Sequence, residues 1–205
     1  KNGNPMLVKL AQKIEKDAIT NLYNRNYFSH SLLQKITTTI QSSNFISVLL
    51  VDIKDFKYFN KIYGYEVGNK ILKLTASALN NALQQEEYKK NTEIYRHTND
   101  EFAVLIYNTT EHATLLLAKN LLSSINNDKN IKNLETLCGK NIKTNIGISC
   151  FKHNKNVKHS SNQDIKMISS SLIHKANLSL EKIKNNSDSN FFISKPFDIS
   201  SYTST

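Results

Sequence analysis

The run FISVLLV, Phe45 to Val51, constrains the fold more than any other stretch of the chain. Successive side chains of a strand point to opposite faces, so a strand apolar at odd and even positions alike has no face to give to water. It must lie inside a sheet covered on both sides. The run ends in Asp52, giving VDIKDF. The carboxyl end of a buried strand is where open α/β sheets place their ligands. A cap for the following helix is the plainer role for this aspartate, and its surroundings decide between the two.

Around this strand the chain alternates helical and extended patterns. Asn24 is placed to cap a helix running to about Ser42. Lys54 to Tyr63 and Glu66 to Leu83 read as two helices broken by Gly64 and Gly68. Ile94–Arg96 and Phe102–Ile106 are β-branched and aromatic runs of strand type. Glu111 to Ile125 reads as a helix with Leu115, Leu116, Ala118, Leu122 and Ile125 inside. LETLC-GKN-IKTNIGISC reads as a hairpin turning at Gly139, which keeps Cys138 and Cys150 too far apart to bridge. A polar loop around Lys152 to Asn162, a helix from Asp164 to Asn185 and a strand Phe191–Ser194 complete the order β-α-α-β-β-α-β-β-α-β. That order is an α/β sandwich around one central sheet. Leu7, Leu10 and Ile14 form a narrow helical stripe, so residues 1–16 read as the end of a connecting helix. Residues 17–194 form the domain, and 195–205 a tail or the start of a linker.

The 205 residues carry 27 Lys plus Arg against 17 Asp plus Glu, a formal charge of +10. The lysines are scattered among asparagines and no nucleic-acid-binding pattern is present, so no nucleic-acid partner is expected. Such a surface still attracts anionic small molecules such as nucleotides. The two cysteines lack CxxC or metal-ligand spacing and read as reduced, cytoplasmic usage. No apolar run reaches spanning length. A chain beginning at Lys1 reads as a piece of a longer protein, and any membrane anchor would lie outside this window.

Between the strands IYR and FAVLI lie the polar residues Thr98 to Glu101, with adjacent carboxylates at Asp100 and Glu101 and no glycine. Tight hairpins favour Asn-Gly or Asp-Gly because their turns need positive φ. If these strands flank the one ending in Asp52, three carboxylates meet at one end of the sheet. Gathered acids repel unless a cation lies between them, and hard oxygen ligands beside phosphates select Mg²⁺. The pattern suggests a metal–nucleotide site.

Five blocks in register resemble the GGDEF family, the diguanylate cyclase domains that join two GTP into cyclic di-GMP. DAITNLYNRNYF (Asp17 to Phe28) is similar to the family's opening motif DxLTGLxNRRxF. VDIKDFKYFNKIYGYEVGNKIL (Val51 to Leu72) is similar to its DIDxFKxINDxxGHxxGDxxL block. RHTNDEF (Arg96 to Phe102) stands at RxGGDEF, NIGIS (Asn145 to Ser149) at SIGIA, and ANLSLEKIKNN (Ala176 to Asn186) at ADxALYxAKxxG. The resemblance covers Asp17 to about Phe192. It implies a mostly antiparallel, five-stranded central sheet flanked by helices. It also implies that Asp52, the Ile53 carbonyl and Asp100 hold Mg²⁺ (or Mn²⁺), with Glu101 as the second catalytic acid beside Asp100. The backbone around Phe56 and Lys57 would cradle phosphates, Asn60 and Asn69 would meet the base, and Lys184 would reach the phosphates. In the family two such domains face each other, each holding one GTP. An upstream sensor and a downstream phosphodiesterase domain are common companions.

The chain departs from this pattern around the same pocket. Thr98 and Asn99 replace the two glycines, adding side chains where a nucleotide should lie. Asn69 replaces an Asp that accepts from guanine's N1–H and N2–H; an amide meets only half of that edge. Asp188 falls where the family has a phosphate-binding Arg. Lys54 replaces the second Asp of DxD, and Tyr65 the usual His. Lys89 and Thr92 replace the RxxD pair of the product-inhibition site. Two readings stand: a degenerate domain that binds nucleotide and metal without efficient cyclisation, and an active cyclase working as a dimer.

Overall fold

The computed structural model describes residues 15–42, 44–153, 161–185 and 190–198. The connecting-helix stripe (Leu7, Leu10 and Ile14), most of the polar loop, Asp188 and the end of the tail lie outside these residues. The central strand β1 (Phe45–Ile53) is buried at every position from Ile46 to Ile53. It pairs antiparallel with β3 (Glu101–Thr109) on one side and with β4 (Thr144–Lys152) on the other. β2 (Thr92–Arg96) and β5 (Phe191–Ile193) are the edges of the five-stranded order β2-β3-β1-β4-β5, and β5 alone runs parallel to its neighbour. The sheet is thus mixed and mostly antiparallel.

Strand periodicity divides the core in two. Leu49, Val51 and Ile53 face a layer formed by α2 (Phe56–Leu83), α4 (Glu111–Asn127) and α5 (Lys129–Cys138). Ile46, Val48 and Leu50 face the opposite layer, formed by α1 (Arg25–Ser42) and α6 (Asn162–Asn185). The one-turn helix α3 (Glu86–Lys89) leads into β2. Asn24 caps α1, its Oδ1 accepting from the amides of Asn26 and Tyr27. α6 passes so close to β4 that a Cβ on Gly147 would lie 2.2 Å from the Ala176 carbonyl oxygen.

Four readings of the sequence are corrected. Lys129–Cys138 is a helix and not the first arm of a hairpin. Asp128 caps its start by accepting from the amides of Asn130 and Ile131, and Gly139, at φ 61°, ends it in the left-handed conformation. Ile131, Leu134, Glu135 and Cys138 recur at helical spacing and turn inward. Cys138 and Cys150 are both buried and free. The two helices expected after β1 are one element, kinked at Gly64 (φ 83°, ψ 166°) and continuous through Gly68. In α4 the buried face is carried by Leu117 and Leu121, whereas Leu116 is exposed. Phe197, in the stretch read as a tail, is buried against Phe151.

Candidate nucleotide and metal site

The acids meet where β1 ends. Asp52 lies opposite Glu101 on β3 and opposite Asn145 on β4. Directly opposed residues of antiparallel strands share a face of the sheet. That face is the one covered by α6, whose last turn supplies Lys184: its Nζ stands 3.2 Å from Asp52 Oδ1. Asp52 is buried and its carboxyl is pushed above the usual range, by burial first and then by the charges of Asp100 and Glu101; the Lys184 ammonium opposes the shift. A buried carboxylate beside two other acids needs a cation, and here an ammonium serves.

The tip between β2 and β3 is tied down from several sides. The amides of His97 and Thr98 both donate to the Glu101 carbonyl, at 2.9 and 3.2 Å. The Arg96 guanidinium donates to the Asn99 carbonyl. The Ile53 amide donates to the Asp100 carbonyl at 3.2 Å, fixing the tip to the end of β1. Thr98 Oγ1 donates to Glu101 Oε2 at 2.9 Å. Neither Thr98 nor Asn99 takes positive φ, so this tip needs no glycine for its backbone. What the two replacements change is the side-chain volume and the local bonding of Glu101.

Two clefts open beside the tip and share Phe56, Lys57 and Asp100 as a common wall. The first, about 560 Å³, is lined by Asn60, Asn69 and Asn99, and by Asn24 at the start of α1, together with Tyr65, Leu72 and Ile19. Asn60 packs onto α2 itself: a Cβ on Gly68 would fall 1.8 Å from its Oδ1. The second cleft, about 540 Å³, is lined by Asp52, Ile53, Asn145, Lys184 and the start of α2. Asp55 opens that helix with φ 59°, in the left-handed region, and pairs with Lys140 at 3.2 Å.

The structure therefore brings Asp52, Ile53, Phe56, Lys57, Asn60, Asn69, Asp100 and Lys184 onto two adjoining clefts. Glu101 lines neither cleft, its carboxylate being turned to Thr98. Among the described residues no three His, Cys, Asp or Glu side chains gather closely enough to hold a metal. The three acids thus share one electrostatic field without forming a three-carboxylate cage. The donors that remain fit Mg²⁺ or Mn²⁺ by type: hard carboxylate oxygens, with room beside them for phosphate ligands. Asn145 escaped the sequence reading. Its signal was a polar residue directly before the apolar run of β4.

The chain matches the family model described as "Diguanylate cyclase, GGDEF domain" over residues 14–190. Diguanylate cyclase DosC of Escherichia coli K12 is 24% identical over 142 residues, which are 69% of this chain and 29% of that protein. Diguanylate cyclase DgcS of Shewanella oneidensis is 29% identical over 110 residues, 54% of this chain and 35% of that one. The chain spans about a third of the length of these curated relatives. Among solved structures, the coiled coil and GGDEF domain of DgcB from Caulobacter crescentus, in complex with c-di-GMP, superposes with a TM-score of 0.71 at 16% identity. It covers 92% of this chain and 90% of its own. The diguanylate cyclase SiaD of Pseudomonas aeruginosa, in complex with its activator SiaC, gives 0.69 at 15% identity, covering 92% and 65%. At such identities the likeness is one of fold.

Proposed function

The chain belongs to the GGDEF family of diguanylate cyclase domains, and from that premise we propose that it binds a nucleoside triphosphate and a divalent metal while making little or no cyclic di-GMP. The observation that carries this reading is the internal engagement of two acids: Glu101 by Thr98 at 2.9 Å and Asp52 by Lys184 at 3.2 Å. Asn69 and Asn99 in the first cleft support it, since one removes a carboxylate from the base edge and the other adds an amide beside it.

Asp52, the Ile53 carbonyl and Asp100 would hold Mg²⁺ or Mn²⁺, which supplies positive charge to polarise an α-phosphate and the attacking hydroxyl. Lys57 and Lys184 flank the same cleft and neutralise phosphate charge. Asn60 and Asn69 present amides to the base. On this reading the domain serves as a regulatory module of the full-length protein, in which a bound nucleotide would change contacts with a partner domain or a second copy. The domain would work in the cytoplasm; among its described residues no helix is long and apolar enough to cross a membrane.

A second reading, an active cyclase acting as a dimer, is favoured by the arrangement of Asp52, Lys57, Asn60, Asp100 and Lys184 around adjoining clefts. Calorimetric titration with a non-hydrolysable GTP analogue and Mn²⁺, together with an assay for cyclic di-GMP from GTP, separates the two. Binding without turnover supports the module, turnover supports the enzyme, and absence of binding overturns both.

A further inference from the structure

We propose that Lys184 is the site's own counter-ion for Asp52, so that a divalent metal is admitted effectively only together with a triphosphate that takes Lys184 over. The proposal deepens the nucleotide-binding reading and rests on it.

The Asp52 side chain is 6% exposed, whereas that of Lys184 is 50% exposed. One partner is fixed at the end of a central strand. The other sits at the end of a long flexible stem on the last turn of α6, free to swing. Losing the cation would leave a buried carboxylate uncompensated beside Asp100, an arrangement that proteins avoid. Lys54 and Lys57 line the same cleft, yet Lys184 is the one at hydrogen-bond distance from Asp52.

A bare metal ion arriving at Asp52 meets an ammonium already there. It must displace that ammonium into water or sit close to it, and both options cost binding energy. A triphosphate changes the balance in two ways at once. Its oxygens complete the metal's coordination shell, and they offer Lys184 a new anionic partner within the cleft. Metal and triphosphate are then positively coupled, and the coupling is reciprocal by necessity. The ordinary alternative is that Lys184 contacts phosphate and its pairing with Asp52 has no bearing on metal affinity.

The experiment compares wild type with Lys184→Gln and Lys184→Arg, each checked for folding by thermal melting. Free Mn²⁺ is counted by electron paramagnetic resonance, with and without a non-hydrolysable GTP analogue. In Lys184→Gln, affinity for Mn²⁺ alone should rise by about fivefold, the worth of a partly exposed ion pair. Affinity for the Mn²⁺–analogue complex should fall by about tenfold or more, the worth of a charged hydrogen bond. Lys184→Arg keeps the charge and should match wild type towards Mn²⁺ alone. Mn²⁺-alone affinity that is unchanged or lower in Lys184→Gln, or raised equally in Lys184→Arg, overturns the proposal. Wild type that binds no Mn²⁺–analogue complex overturns the nucleotide reading instead, while the Mn²⁺-alone comparison still decides the role of Lys184.

Discussion

Thr98 Oγ1 donates to Glu101 Oε2 across 2.9 Å, so the hairpin tip binds one of its own two acids. A glycine at that position has no hydroxyl to give. Replacing Thr98 and Asn99 together by glycine frees the Glu101 carboxylate and clears the Asn99 side chain from the first cleft. The double variant should form cyclic di-GMP about tenfold or more faster than wild type, because small errors in placing reacting groups are costly in rate. Product formation from GTP measures it. An unchanged rate would move the cause to Asn69 and the phosphate contacts.

Two glycines test how the fold holds the site. Gly147→Ala puts a methyl group 2.2 Å from the Ala176 carbonyl and 2.7 Å from Leu180 Cγ, at the seam between β4 and α6. Overpacking of this kind costs about 1–3 kcal/mol, read as a lower urea midpoint. Gly68→Ala instead pushes on Asn60 Oδ1, the end of a movable side chain. It should weaken nucleotide binding more than it lowers the urea midpoint. Equal behaviour of the two variants would contradict this division of roles.

Glu93 ties α1 to β2. Burial pushes its carboxyl up, but hydrogen bonds from Tyr95, Ser31 and Lys35 outweigh that and leave it below the usual carboxylate range. A depressed folded pKa means stability that is present above the unfolded value, about 4.3, and lost as pH falls through the folded value. Glu93→Gln should therefore cost about 1–3 kcal/mol at pH 7. It should also flatten the loss of stability on acidification below about pH 4.5. Urea unfolding at pH 7 and at pH 3.5 checks both, and a mutant curve parallel to wild type refutes the assignment.

Base choice follows from Asn69 in the first cleft. Adenine's edge offers an acceptor beside a donor, which an amide meets with both its atoms; guanine's neighbouring N–H donors suit a carboxylate better. A site relieved of one pairing group loses much of its discrimination. GTP and ATP should bind within about tenfold of each other, a gap below roughly 1.4 kcal/mol. Asn69→Asp should restore preference for GTP. A strong GTP preference already present in wild type would contradict this.

Much of this arrangement was legible in the sequence because physics left few choices. FISVLLV has no face for water, so β1 had to be central, and its last residues, Asp52 and Ile53, open onto the second cleft. β3 pairs with β1 as the hairpin reading required, which places Glu101 opposite Asp52. What stayed hidden were matters of local competition. LETLC suits a strand by composition, yet Asp128 and Gly139 cap a helix around it. Gly68 reads as a helix breaker, yet the helix runs through it, and its missing side chain leaves the room that Asn60 occupies. The bond between Thr98 and Glu101 depends on side-chain orientation, which spacing does not encode.

On the proposed reading, this site binds nucleotide without cyclising it efficiently. The most direct test incubates the purified protein with GTP and Mg²⁺, then with Mn²⁺, and follows cyclic di-GMP by chromatography beside an intact family member at equal concentration. We predict product at no more than about a hundredth of the comparison rate, the size of effect expected from misplaced catalytic groups. Turnover comparable to the intact enzyme, with no partner added, would contradict the account.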